Sequence, residues 1–552
     1  MLTAIRALGM ATLVLTALAG AVPPLRADAA RAAQLTAQAQ ALLAQEEYEP
    51  ARGLLEQALQ AQPGYLDAYL NLGYLAERQD QVEAALEAYA QALQISPGQG
   101  YAADRFSTLF RRGRFPQRLS PAVLALAPVP LTLDRVRAAP GLPGQALPVE
   151  AALAYTTGLL YPDQMRTGDG LPQIALPGGG QARFNRVAYG FLAEPTGGDL
   201  VMRVAVSYPS PTVSDQGQDY AALAVRLAHW LTRLEGYFHL YLGVPLPAEP
   251  TPVYLCEAGP AAAESYEREL YFYQVGDARA SQEWLREAAH EVGHLLLPRL
   301  GRFTAPEPWG SGHVGERLGL QWLAAEAGLA SGHAWPAEAA QQAVAPLWGG
   351  EDVDLAGYLA QRCRPLLDAW CQTGPESPLL AQDSEAALSY TLGFLLWVEA
   401  AHDSAVLAET LLGATGTNPT DYVQSYQAAV TRRLQRGWLP VYAGALSLPQ
   451  SQLTPPPAEG ALRREQVALA PGDSLELPLY LPAGAWTVTS LPSPLPSLAQ
   501  AALDETPVEV DAFGGLALHT ATPGWHRLRL KAPPTGEPWT LEFLRVEAAP
   551  PA

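Results

Sequence analysis

Trp284 to Leu297 reads WLREAAHEVGHLLL, and its centre, His290-Glu291-Val292-Gly293-His294, decides how the rest of the chain is understood. Residues four apart on an α-helix differ by about 40° in azimuth and about 6 Å in height, so the two imidazoles share one face. Neutral imidazoles so placed offer two corners of a tetrahedral zinc site. Glu291 falls beside the open corner, where a carboxylate can take a proton from metal-held water. Leu285, Ala288, Ala289, Leu295, Leu296 and Leu297 are helix formers or core residues and Pro298 ends the run, so a helix is expected here.

Working outward, Asp199 to Tyr208 alternates as a strand and Asp219 to Leu242 has the period of a long amphipathic helix. Thr251 to Cys256 and Leu270 to Val275 (LYFYQV) follow as short strands. Strand, helix, strand, strand and then the HExxH helix is similar to the N-terminal lobe of thermolysin-like peptidases. Over about residues 200 to 440 the chain resembles the gluzincins, peptidase MA-like zinc enzymes whose third ligand is a glutamate on a second helix. The resemblance implies that Leu270 to Val275 lies at the cleft edge and pairs with substrate backbone. It also directs attention to His313 to Gly328, where Glu316 is followed by Leu318, Gly319 and Trp322. This is similar to the family's Glu-Gly-Leu-Ala-x-Tyr pattern, in which a small residue three after the glutamate permits close helix packing. Arg317 stands where glycine is usual, and the aromatic is one position late. The expected zinc ligands are His290, His294 and Glu316, with His313 and Glu326 as competitors for the third place. Glu291 is the expected general base.

Further on, Ser389-Tyr390-Thr391-Leu392-Gly393 is similar to the aminopeptidase branch's Tyr-x-Lys-Gly motif, with Leu392 in place of the lysine. That resemblance implies Tyr390 as a neutral donor to a developing oxyanion. The branch's Gly-x-Met-Glu-Asn loop is absent from the sequence, which argues against aminopeptidase activity.

On the N-terminal side, Pro63 and Pro97 close two helical-hairpin patterns and are 97 − 63 = 34 residues apart, the tetratricopeptide period. Tyr69, Leu72, Gly73, Ala76, Ala85, Tyr89, Ala92 and Pro97 resemble that family's signature, and Tyr101 to Phe115 is expected to add a closing helix. Two repeats bury little by themselves, so the module reads as a cap or as a groove for a protein partner. Before it, Arg6 and the apolar Ala7 to Leu18, with small-residue sites at Ala19-Gly20-Ala21 and Ala27-Asp28-Ala29, read as an export leader over residues 1–29.

Prolines recur without period from Pro116 to Pro148, marking a linker and leading segment over 114–198, within which Val149 to Tyr161 is expected to form a short helix. Gly178-Gly179-Gly180 lacks the context of a phosphate-binding turn. After the peptidase-like region, 199–445, the prolines 455–457 mark a boundary. Alternating strands at Ser474–Leu481, Ala485–Leu491, Trp525–Lys531 and Trp539–Val546 follow, read as a β-sandwich over 460–548.

The whole is expected to be a multidomain α+β protein: tetratricopeptide hairpins, a thermolysin-like metallopeptidase domain and an all-β sandwich. A net charge of −20 argues against nucleic acid or an anionic membrane as partner. Three cysteines are too few for a disulfide framework or a Cys-rich zinc site. The expected activity is zinc-dependent hydrolysis of a peptide or protein substrate by an exported enzyme with no membrane span once the leader is removed. A binding or assembly factor with a degenerate peptidase-like domain is the alternative.

Overall fold

The computed structural model describes residues 24–111, 200–328, 353–442 and 467–549 apart from single positions and short breaks, together with short strands between 118 and 193. Of the leader expected over 1–29, residues 1–23 lie outside the described residues, as do Gly178 to Gly180 and most of the proline-rich linker. The chain divides into two compact units, one drawn mainly from Met1–Pro130 and the other from Leu131–Gly158, Gly168–Pro195 and Arg203–Ala552.

In the first unit the helices Pro24–Leu43, Tyr48–Ala61, Leu66–Arg78, Val82–Ile95 and Gly100–Arg111 succeed one another. Small residues set how closely they pair. Ala51, Leu55 and Ala58 line the buried side of the second helix, and Ala85, Ala88 and Ala92 that of the fourth. A methyl group on Gly73 would lie 2.5 Å from the Tyr89 ring, so the glycine leaves room for the tyrosine. Tyr89 donates its hydroxyl to Glu77 at 2.7 Å, and Arg105 of the closing helix donates to the same carboxylate. The expected hairpins and closing helix are therefore present.

The second unit begins with a mixed sheet. Its strands are β1 (Thr132–Val136), β2 (Leu153–Leu159), β3 (Arg186–Ala193), β4 (Leu200–Tyr208), β5 (Thr251–Leu255), β6 (Ala263–Tyr266) and β7 (Glu269–Phe272). They lie in the order β1-β2-β3-β4-β5-β7-β6. β4, β5 and β7 run parallel to one another, and β6 returns antiparallel to β7. Two expectations are corrected here. The short helix expected over Val149–Tyr161 is instead β2, because Tyr155, Thr156 and Thr157 favour a pleated backbone and Gly158 disfavours a helix. Leu270 to Val275 is not an edge strand: β7 is paired on both sides, and β6 takes the edge. Glu267 and Arg268, both at positive φ, make the tight turn that folds β6 onto it.

Helix Tyr220–Leu242 covers the sheet, capped at one end by the Asp219 carboxylate, which accepts from Ala222 N–H, and ended at the other by Gly243 in the left-handed region. A buried triad ties helix to sheet. Arg203 of β4 donates to Glu235 at 2.9 Å, and Thr251 of β5 donates to the other oxygen at 3.0 Å. Pairing of this kind is what makes a buried charge tolerable. Helices Ser281–Leu296, Ser311–Gly328, Arg364–Thr373, Glu385–Ala401, Ser404–Leu412 and Pro419–Arg436 build the remainder of the core.

Two antiparallel sheets follow. The four expected strands are present, at Ser474–Leu481, Gly484–Pro492, Gly524–Lys531 and Trp539–Ala548, joined by shorter strands that the sequence did not single out. Trp438–Tyr442, directly after the last helix, pairs antiparallel with Trp539–Ala548 and so belongs to one of these sheets. Trp525 stacks on Tyr426 of helix Pro419–Arg436, with centroids 5.4 Å apart and planes 11° from parallel. That tryptophan serves packing between helix and sheet.

Candidate metal centre

The HExxH residues lie on helix Ser281–Leu296, whose Trp284, Leu285, Ala288, Ala289 and Val292 are buried. The next helix, Ser311–Gly328, crosses it at two glycines. A methyl group on Gly315 would fall 2.4 Å from Gly293 Cα, so the backbones touch. This close crossing carries His313 and Glu316 onto the face that bears His290 and His294. Gly319, expected as the small residue of this packing, admits Leu234 and Ala289.

The imidazoles converge. Nε2 of His290 and Nε2 of His294 are 3.1 Å apart. The His290 ring lies 4.8 Å from those of both His294 and His313, at interplanar angles of 75° and 88°. A further group, absent from the sequence reading, joins them. Glu307 sits on the loop between the helices, with Oε1 3.1 Å from His290 Nε2 and 3.4 Å from His313 Nε2, and Oε2 3.3 Å from His294 Nε2. The loop is pinned by backbone bonds from Gly310 N–H to Leu300 C=O and from Phe303 N–H to Pro308 C=O. No periodicity announces a ligand on such a loop.

Glu316 reaches the other side of His290. Its Oε2 is 3.7 Å from Nδ1, while its Oε1 accepts from Arg286 and from Tyr358, each at 2.8 Å. Ser311 Oγ lies 3.1 Å from His294 Nδ1. Arg317 donates to the His313 backbone carbonyl at 3.1 Å. Glu291 is buried, 5% exposed. Glu326 lies in the last turn of the helix, and its side chain is outside the described residues. Tyr390 is buried on helix Glu385–Ala401 and donates its hydroxyl to the Gly374 carbonyl oxygen.

The carboxylates and imidazoles of the cluster shift one another's titration. Burial works against a charged His290, yet the neighbouring carboxylates of Glu307 and Glu316 push its pKa up to about 10. Burial likewise opposes a charged Glu307, but the two imidazoles hold it down to about 2. Glu316, despite burial, is held well below the carboxylate range by His290, Arg317 and Arg286. His313 is lowered to about 4 by burial and by the cations His290 and Arg317. Glu291 is raised, chiefly by burial. The Tyr390 phenol is pushed up to about 12, again chiefly by burial.

A divalent ion fits these residues. With zinc–ligand bonds of about 2.0–2.1 Å, the edges of a tetrahedron are about 3.3–3.4 Å, close to the 3.1–3.3 Å spacings among His290, His294 and the Glu307 carboxylate, one of two groups here that could hold an ion, the other being His290, His313 and Glu316. Glu307 Oε1 and His313 Nε2 are buried, and neither has a partner with hydrogen-bond geometry. A methyl group on Gly312 would lie 2.4 Å from Nε2 of both His290 and His294. The glycine therefore keeps open the space an ion would fill.

Residues 36–100 match the tetratricopeptide repeat family. That span covers the helices Tyr48–Ala61, Leu66–Arg78 and Val82–Ile95, and the starts of the first and third of these are 82 − 48 = 34 residues apart. Tetratricopeptide repeats fit protein partners. Among the described residues no helix is long and apolar enough to cross a membrane. No curated protein matches the chain.

Proposed function

We propose that the second unit is a zinc-dependent hydrolase of peptide bonds, of the gluzincin kind. The observation that carries this reading is the convergence of the His290 and His294 imidazoles, 3.1 Å apart at Nε2, beside the buried carboxylate of Glu291. Bound zinc would supply Lewis acidity, lowering the pKa of a water it holds to about 7. Glu291 is the group that would take a proton from the attacking water and return it to the leaving nitrogen as the C–N bond breaks. β6, the edge strand of the sheet, packs against the HExxH helix and offers unpaired backbone groups to an extended peptide. The Tyr390 hydroxyl is donated to the Gly374 carbonyl and takes no part in this scheme. The acidic chain, its tetratricopeptide module and the apolar stretch Ala7–Leu18 accord with an exported enzyme that engages protein.

The test is a chelator-sensitive digest of a broad peptide library, with zinc measured on the same samples. Wild type should retain about one zinc per chain and cleave. Glu291→Gln should retain the zinc and lose about 100- to 10,000-fold in turnover. Cleavage surviving in that variant, or wild type without zinc under replete conditions, overturns the reading. Zinc-loaded wild type that cleaves nothing supports instead a binding or assembly factor with a degenerate peptidase-like domain. The tetratricopeptide match at 36–100 fits protein–protein interaction and is compatible with both readings.

A further inference from the structure

On the reading that a metal binds at the HExxH helix, we propose that Arg286 and Tyr358 decide which of two groups holds it. By engaging Glu316 they leave His290, His294 and Glu307 as the protein ligands and turn Glu316 into the group that orients His290.

Two sets of three side chains lie close enough to hold an ion: His290 with His294 and Glu307, and His290 with His313 and Glu316. Both draw on His290, but the carboxylates reach it at different nitrogens. Glu307 and His294 meet Nε2, each at 3.1 Å, whereas Glu316 meets Nδ1, at 3.7 Å.

Three observations favour the Nε2 side. First, the Glu307 carboxylate spans both imidazoles, its other oxygen lying 3.3 Å from His294 Nε2. Second, a methyl group on Gly312 would lie 2.4 Å from Nε2 of both His290 and His294, so the glycine keeps open the space these two share. Third, Glu316 is already engaged. Its Oε1 accepts from Arg286 and from Tyr358, each at 2.8 Å, and Arg317 Nη1 lies 3.8 Å from its Oε2. Two guanidinium groups offset its charge and repel a divalent cation brought to it.

The chain builds this engagement from both sides. Arg286 precedes His290 by four residues and shares its helix face. Tyr358 is buried at the end of the short helix Leu355–Tyr358, where a π-helical turn, Leu359–Cys363, begins. Such turns recur at functional sites. Asp354 anchors the segment: its backbone N–H donates at 2.9 Å to the side chain of Gln282, in the first turn of the HExxH helix, and its carboxylate accepts from Gly357 N–H at 2.8 Å. A carboxylate on the far nitrogen of a metal-bound histidine fixes the ring's tautomer and its aim. Glu316 stands in that place, and Arg286 and Tyr358 act through it as positioning residues.

Zinc affinity by chelator competition, read beside histidine nitrogen resonances, tests this without turnover. In zinc-loaded wild type, which needs no variant to fold, His290 should be metallated at Nε2 and protonated at Nδ1, His294 should be metallated, and His313 should not. His313→Gln should remove one set of resonances and leave zinc affinity unchanged. Glu316→Gln and Tyr358→Phe should each weaken zinc by about 10- to 100-fold, and Glu307→Gln by more than that. Tyr358→Phe should do so while the Tm of the chelated protein stays at the wild-type value, which separates positioning from a general loss of packing. Metallation of His313 in place of His294, or zinc lost more fully in His313→Gln than in Glu307→Gln, overturns the choice of group. Wild-type zinc affinity in both Glu316→Gln and Tyr358→Phe overturns the positioning role. A Glu291→Gln variant that still cleaves sinks the hydrolase reading and leaves this assignment standing, whereas wild type that takes up no metal sinks both.

Discussion

Gly293 and Gly315 meet backbone to backbone where the two site-bearing helices cross, and the placement of His313 and Glu316 beside His290 depends on that contact. A side chain at either position would push the helices apart and carry His313 away from His290. Gly315→Ala is expected to destabilise the protein by about 1–3 kcal/mol, the usual cost of overpacking a tight contact. Thermal unfolding measures it, and an unchanged Tm would show that the crossing relaxes freely.

Gly312→Ala should act differently. Its methyl group would lie 2.4 Å from Nε2 of His290 and His294, in the space between the ligands rather than between the helices. The fold should survive, as judged by circular dichroism, while zinc retained after dialysis falls below one tenth of the wild-type content. A variant that folds and still carries stoichiometric zinc would place the ion elsewhere.

The centre predicts a stability maximum for the chelated protein near pH 6.5. His290 is raised from 6.5 to about 10, so its contribution is complete below 6.5 and is lost as the pH climbs through about 10. His313 is lowered from 6.5 to about 4, so stability is lost as the pH falls through that window. Glu307, lowered from 4.5 to about 2, adds its own loss at still lower pH. Melting curves with chelator should therefore fall on both sides of pH 6.5. The gain in Tm on adding zinc should instead grow with pH, because the ion competes with the proton on His290. A zinc effect that weakened between pH 6 and 8 would contradict this.

Thiol labelling at pH 8 should modify Cys371 first. Cys256 and Cys363 are buried, and burial pushes both thiols up to about 12, leaving little thiolate. Cys371 is only partly buried. Mass spectrometry of iodoacetamide-treated protein should show one fast adduct and two that appear on unfolding.

Deleting residues 30–113 should leave zinc binding unchanged. These residues belong to the first unit, and every residue of the metal centre belongs to the second. Zinc lost from a truncated protein that remains folded by circular dichroism would show that the units share the site.

How much of this was legible depended on whether a residue's role is set by local period. His290 and His294 are four apart on a helix, and that spacing alone puts them on one face. The hairpins around Gly73 and Tyr89 were legible because each repeat restates the same packing problem. Glu307 was not, because its aim comes from the bonds that pin Leu300 to Gly310 and Phe303 to Pro308, which no spacing encodes. The edge strand β6 was missed for a related reason. Its Glu264 and Ser265 are weak strand formers, and Glu267 and Arg268 make its turn without the glycine or asparagine that usually signals one. The sequence also placed Glu316 near the histidines without revealing which nitrogen of His290 it faces, since helical spacing carries no information about the rotation of a ring.

The strand Trp539–Ala548 is bordered by Trp438–Tyr442 and by Gly484–Pro492. It is the last of the described elements to be synthesised, yet it lies inside its sheet rather than at the margin. A ribosome that stalls before it releases a chain whose Trp438–Tyr442 has no partner, with open backbone groups beside helix Pro419–Arg436. That sheet therefore closes only with its last strand, and the chain N-terminal to it must wait for Trp539–Ala548 before Trp438–Tyr442 is paired.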